Sequence, residues 1–319
     1  MSRSRASSKV AIVAEHIYHV LGRHAGLHAE SSHIAPVPPL FVALQGPQGI
    51  GKTTLTTSLQ DELRSVVAQK EGRSAPPFQA DAGLTPSPRR PTVAVLSLDD
   101  FYLPHSSMAT LANTSSTAAP SDPPEEESLL KTSKLLSGRG LPGTHDLPLL
   151  ASVLASLSRI NSPRSSPSLA ATAPKAPTPS AVTFPRVDAP IYDKSAFAGK
   201  GDRKTEPNTI NGPVDVVLLE GWCMGFYPLS KSELQRRWSR VSGAVESASN
   251  PARNAAGGPG VREVPEADLE RGVIKRLGIT AADIMQINDH LREYSDKIYP
   301  FFTGGFIQVR NVSLSALVT

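Results

Sequence analysis

An α/β fold, built on a mostly parallel sheet with helices on both faces, is predicted by three features of this 319-residue chain. Apolar runs of strand length alternate with stretches whose apolar residues recur every three or four positions. The runs are nearly continuous in Val, Leu and Ile, as strands buried on both faces are. A glycine-rich loop joins the first run to the first helical stretch of the main domain, and such junctions are where open parallel sheets bind ligands.

Taken in order, residues 1–36 read as a tail and an amphipathic helix carrying Val10, Val13, Ile17 and Leu21. Residues 37–319 read as one main domain. Leu40 to Leu44 is its first strand, and Leu55, Leu59, Leu63 and Val66 then share a helical face. Thr92 to Leu98 is a second strand, Leu147 to Leu157 a helix capped by Asp146, and Val214 to Leu219 a buried strand. A last helix carries Ile284, Ile287, Leu291, Tyr294 and Ile298 behind a capping box, Thr280 to Asp283, and a short strand follows at Phe306 to Val309. Between these blocks lie segments rich in Ser, Ala, Pro and Gly, at about 71–90, 106–126, 162–180 and 243–260. Their few large apolar residues cannot offset the entropy of ordering, so they are expected to be disordered insertions.

The first junction spells GPQGIGKTT from Gly46 to Thr54, and within it the complete GxxxxGK[ST] pattern of a P-loop NTPase. Gly46, Gly49 and Gly51 allow a tight loop whose N–H groups surround phosphate oxygens, with Pro47, Gln48, Ile50 and Thr54 completing it. Lys52 is placed to neutralise the β- and γ-phosphates of ATP, and the Thr53 hydroxyl to ligate Mg2+.

The reaction type is read from the second and third strands. Asp99 and Asp100 stand at the end of the second, where a carboxylate can accept the proton of an acceptor hydroxyl. Asp99, nearer the strand end, is favoured as the base, leaving Asp100 to cap the turn or touch the acceptor. Glu220 ends the third strand, where an acid holds the metal or its water as a Walker B element does.

The P-loop, DDFY (Asp99 to Tyr102), PIYD (Pro190 to Asp193) and EGW (Glu220 to Trp222) resemble the phosphoribulokinase, uridine kinase and pantothenate kinase superfamily. GRGLPGTHD (Gly138 to Asp146), YDKSAFAGKGDR (Tyr192 to Arg203) and EGWCMGF (Glu220 to Phe226) resemble, more narrowly, the D-glycerate 3-kinase family of plants and fungi. The resemblance implies a P-loop kinase domain, ATP and magnesium, and phosphoryl transfer to a hydroxyl of glycerate. It also implies a further helix and a terminal segment beyond the FIQV strand, relative to which this chain is short. An acidic acceptor needs cations, and Arg139, Lys194, Lys200 and Arg203 are available, Arg203 with the fork that pairs a carboxylate bidentately. The candidate acceptor contacts are Asp100, Tyr102, Arg139, His145, Asp146, Tyr192 and Lys194, with Arg203 joining Lys52 and Asp99 as catalytic candidates. For Asp146 a helix-capping role is equally open, and Arg236, Arg237 and Arg240 fit a solvated helix face.

Other classes fit less well. A net charge of +4 with dispersed basic residues argues for small anionic partners rather than nucleic acid. No apolar stretch has the length to span a membrane. A single cysteine, Cys223, fits a reducing cytoplasm, although Arg3 and Arg5 among serines leave a mitochondrial address as a minor alternative. No NKxD guanine reader is present, and LSGRG at Leu136 to Gly140 lacks the glutamine of a cassette-ATPase signature. A nucleoside or pantothenate kinase, or a non-catalytic ATP-binding relative, remains the alternative; composition leaves the oligomeric state open. Lys52→Ala is expected to weaken Mg·ATP binding sharply in a titration with the purified protein. Unchanged affinity would refute the P-loop assignment.

Overall fold

A computed structural model describes residues 9–31, 36–46, 56, 58–63, 65–66, 91–116, 133–163, 183–247 and 266–309. The chain divides into two compact units. The first comprises Met1–Tyr102, His145–Gly225 and Lys297–Thr319, and the second Leu103–Thr144 and Phe226–Asp296.

The first unit holds the predicted sheet. Strands β1 (Leu40–Gln45), β2 (Val93–Ser97), β7 (Val216–Gly221) and β8 (Phe306–Gln308) pair in the order β2-β7-β1-β8, all parallel. Every residue of β1 and β7 is buried, which explains why both read as unbroken apolar runs. Helix α1 (Lys9–Ser31) lays Val13, Ala14, Ile17, Tyr18 and Leu21 onto Leu40, Val42, Leu44, Val216 and Leu218. Leu59 and Leu63, from the helical residues that follow the P-loop segment, complete that layer. Further along the chain, α3 (Leu147–Leu157) buries Leu147, Leu150, Val153, Leu154 and Leu157, and its cap is Asp146, as the sequence predicts.

Two short antiparallel pairs were not legible in the sequence. They are β3 (Arg186–Ala189) with β6 (Asn208–Asn211), and β4 (Tyr192–Asp193) with β5 (Asp202–Arg203). Strand ends also differ from the pattern. The second strand stops at Ser97, because Leu98–Phe101 winds into a 3-10 turn with Leu98 and Phe101 buried. The third runs two residues further, to Gly221, following its register with β1 from Leu40↔Val216 to Gln45↔Gly221. Asn161 closes the amino-terminal side of this unit: its Nδ2 donates to the carbonyls of Val37 (2.9 Å) and Val214 (2.7 Å), and its Oδ1 accepts from Val214 N (2.7 Å).

The second unit is helical. The insertion expected to be disordered from about 106 begins instead as helix α2 (His105–Ser116), opened after Pro104 and carrying Met108 inward. Likewise α4 (Lys231–Ser247) runs through Gly243 into the start of the expected insertion at 243–260. The insertion at 71–90, and nearly all of that at 162–180, lie outside the described residues. Helix α5 (Glu266–Leu277) follows, then α6 (Ala281–Lys297), whose capping box is reciprocal: Asp283 N donates to Thr280 Oγ1 and Thr280 N to Asp283 Oδ2. On α4, Arg236 and Arg237 both pair with Glu233 and stay exposed, the solvated face expected of them. Among the described residues, no helix is long and apolar enough to cross a membrane.

Asn161 satisfies one buried donor and two carbonyls. Its replacement by alanine is therefore expected to destabilise the protein by roughly 2–4 kcal/mol in urea titrations, since each orphaned buried group costs about 1–3 kcal/mol.

Candidate active site

Three strands bring chemistry to the carboxyl edge of the sheet. Strand β1 ends at Gln45 and opens into Gly46, which is buried at the start of the P-loop. Pro47, Gln48, Gly49, Ile50, Gly51, Lys52, Thr53 and Thr54 lie outside the described residues. In the register, Glu220 on β7 stands beside Leu44 of β1 on one side and Ser97 of β2 on the other. It is only 7% exposed, and Ser97 Oγ donates to its Oε1 at 2.6 Å. Gln45 Nε2 donates to the carbonyl of Trp222 at 3.1 Å, tying the EGW turn to the residue before the P-loop.

Beyond Ser97 the 3-10 turn carries the paired acids. Because this is a turn and not a strand, alternation of faces does not separate them; their partners do. Asp99 Oδ2 accepts from Lys194 Nζ at 2.6 Å, and Oδ1 from the Tyr102 hydroxyl at 3.1 Å. Asp100 Oδ1 accepts from the backbone N–H of Tyr192 at 3.0 Å. Burial pushes the Asp100 carboxyl above the usual range, and the charge of Asp99 adds to that, while the Tyr192 N–H and Lys194 oppose it.

The β4–β5 hairpin supplies the cations. Lys194 follows β4, and Arg203 ends β5. Arg203 Nε donates to the Tyr102 carbonyl at 3.0 Å and Nη2 to Asp146 Oδ2 at 2.9 Å. The other Asp146 oxygen accepts from Leu149 N at 3.0 Å, so this acid is both helix cap and arginine partner. At the hairpin tip Phe197 and Ala198 take φ of 52° and 55°, a left-handed conformation uncommon outside glycine. Gly201 also has positive φ, and a Cβ there would lie 2.4 Å from the Tyr192 ring, so only glycine lets the hairpin close over that tyrosine.

His145 stacks on Tyr102 with ring centroids 4.4 Å apart, and Tyr192 meets Tyr102 edge-on at 5.3 Å. Burial lowers the His145 pKa to about 4, so the ring is neutral near physiological pH and carries no positive charge. The structure thus gathers Asp99, Asp100, Tyr102, His145, Asp146, Tyr192, Lys194, Arg203 and Glu220 in the first unit. Arg139 belongs to the second unit, and Lys200 is exposed. Ser97 and Gln45 were missed by sequence reasoning. Ser97 stood two residues before the acids in plain view, but its partner lies 123 positions away.

The donor set suits magnesium. The buried Glu220 carboxylate is a hard oxygen donor of the kind magnesium takes, and among the described residues there is no group of three or more His, Cys, Asp or Glu that could hold a metal. Magnesium is usually bound by one or two protein oxygens together with substrate phosphates and water, so a single buried carboxylate is compatible with it.

A parallel sheet that opens from β1 into a GxxxxGK[ST] loop, with acids at the ends of its neighbouring strands, is the P-loop kinase type of α/β fold. The chain is similar to proteins from fungi and plants named as ATP-dependent kinases and D-glycerate 3-kinases. It is 32% identical over 191 residues to the probable ATP-dependent kinase TDA10 of Saccharomyces cerevisiae, a match covering 60% of this chain and 48% of that protein. It is 31% identical over 196 residues to the chloroplastic D-glycerate 3-kinase of Arabidopsis thaliana, covering 60% of this chain and 30% of the plant protein. The solved D-glycerate 3-kinase of Cryptococcus neoformans superposes with a TM-score of 0.58 at 27% identity, covering 95% of this chain and 73% of that one. No family model matches. The chain thus spans about half or less of the curated relatives named here.

The raised Asp100 pKa has a sign that can be tested. Its native carboxyl binds a proton more tightly than the unfolded one, so its contribution to stability is present below the unfolded carboxylate range and is lost as pH rises through the raised native value. Asp100→Asn keeps an acceptor for Tyr192 N–H without the buried charge. It is expected to melt at a higher temperature than the wild type near neutral pH, with the gap closing in acid. A variant that melts lower near neutrality would show that the Tyr192 bond to the ionised acid outweighs desolvation.

Proposed function

We propose that this chain transfers the γ-phosphate of ATP to a hydroxyl of D-glycerate. The observation that carries the reading is the placement of Asp99. It hangs from the carboxyl end of β2, one strand from Glu220 and two from the start of the P-loop, with a lysine and a tyrosine hydroxyl donating to its two oxygens. A carboxylate has about four lone-pair sites, so those two bonds leave room for an acceptor hydroxyl to donate as well.

In this reading Lys52 and the loop amides hold the ATP phosphates, while Thr53 and Glu220 hold magnesium, which when bound offsets the charge on the β- and γ-phosphates. The acceptor hydroxyl would give its proton to Asp99 as its oxygen attacks the γ-phosphorus and the bond from that phosphorus to the β-phosphate oxygen breaks, so that ADP leaves and Asp99 is left neutral beside Lys194. Lys194 pairs with the base and Arg203 is held by Tyr102, whose hydroxyl bonds the same acid; positive charge so placed favours an acceptor bearing a carboxylate over a neutral nucleoside. Among the described residues Arg203 is held by Tyr102 and Asp146 through Nε and Nη2, and a guanidinium carries five donors. Its orientation is therefore set before an acceptor arrives, which lowers the entropy lost on binding. Names among the relatives support the acceptor class, since two of those compared are D-glycerate 3-kinases.

Glycerate is expected to stimulate ADP release from ATP by the purified protein, and uridine and pantothenate are not; stimulation by uridine alone would move the acceptor to a nucleoside. Asp99→Asn removes the proton acceptor and keeps the shape. It is expected to lower kcat by about 10² to 10⁴, the usual contribution of a positioned base, with the KM for ATP changing only a few-fold. Unaltered turnover in that variant would make the DDFY turn structural and overturn the mechanism.

A further inference from the structure

We propose that Ser97 is a positioning residue for Glu220, fixing the carboxylate that stands beside the end of β1 so that it can serve a divalent cation; this rests on the kinase reading above. Ser97 is the last residue of β2 and the register partner of Glu220 on β7, so in a parallel ladder the two side chains leave the sheet on the same side. The Oγ to Oε1 separation of 2.6 Å lies in the range of a charge-assisted O–H···O⁻ bond. A serine hydroxyl has one proton, and here it is committed to Oε1, which sets the plane of the carboxylate and leaves Oε2 as the oxygen for a cation.

The need for such a partner follows from burial. Glu220 is 7% exposed, so water does little to orient it, and among the described residues Ser97 is the side chain bonded to it. Partners of metal ligands typically account for 10- to 100-fold in metal affinity. Ser97 also opens the 3-10 turn that presents Asp99, so one residue sets both the acid on the cation side and the start of the turn bearing the base. A merely structural bond would leave the metal dependence alone.

The test uses the whole chain, with Mn(II) in place of magnesium and a non-hydrolysable ATP analogue, and reads free Mn(II) by electron paramagnetic resonance. Ser97→Ala is expected to weaken Mn(II) binding in the nucleotide complex about 10- to 100-fold. The magnesium concentration for half-maximal turnover should rise by a similar factor, the KM for the acceptor should stay unchanged, and Ser97→Thr, which keeps a hydroxyl, should restore binding. Wild-type Mn(II) affinity in Ser97→Ala, whatever its melting temperature, overturns the inference and leaves the kinase reading intact. Should Ser97→Ala fail to fold by circular dichroism, Ser97→Cys takes its place, its thiol being a weak donor of similar size. The same loss then supports the inference, and wild-type affinity overturns it. A wild type that binds no Mn(II) with the nucleotide overturns the kinase reading and this inference together.

Discussion

The parallel pairing of β7 with both β1 and β2 is the constraint on which the site depends. Pairing in this register sets Ser97, Glu220 and Leu44 side by side, so the end of each strand delivers its next residue to the same edge: the 3-10 turn with Asp99, the EGW turn and the P-loop. A shift of one residue in β7 would turn Glu220 to the other face and place Leu219 in its position. The full burial of β1 and β7 protects against that slip, because α1 packs on one face through Leu40, Val42, Leu44, Val216 and Leu218. Core packing and site geometry are therefore the same fact seen from two ends of the sheet.

The second layer of organisation is the tie between the turn after β2 and the β4–β5 hairpin. Asp99 meets Lys194, Asp100 meets the Tyr192 N–H, and the Tyr102 carbonyl meets Arg203. Lys194 is more than half exposed, and an ion pair of that kind contributes at most about 1 kcal/mol, so its interest is in placing charge and not in stability. The hairpin bears the cost of a left-handed turn at Phe197 and Ala198, of a kind usually kept only where the surroundings over-determine it.

Two titratable side chains beside this polar seam, His145 and Cys223, are buried. Burial lowers the His145 pKa to about 4, leaving the ring neutral near physiological pH, and pushes the Cys223 thiol up to about 12, leaving it inert near neutrality. Both shifts have burial as their first cause. In such surroundings charges act on one another more strongly than in water.

The four strands of the parallel sheet, the capped helix at Leu147, the capping box at Thr280, the P-loop motif and the paired acids were legible in the sequence. Each is a local signal: periodicity, a cap three residues from its partner, a loop with its own pattern. The helix His105–Ser116 was not, because a segment of Ser, Ala and Thr reads as a spacer until its Met108 is seen to be buried. The two hairpins were missed for a related reason, since strands of two to four residues carry too little pattern to announce themselves. Which partner each charge takes was decided only by the tertiary structure. Asp99 and Lys194 are 95 positions apart, Arg203 and Asp146 57, and Ser97 and Glu220 123. Sequence determines which chemical groups the chain carries and which local elements they sit on. A hydrogen bond is satisfied only within about 3 Å, a distance that depends on how the sheet and hairpin pack.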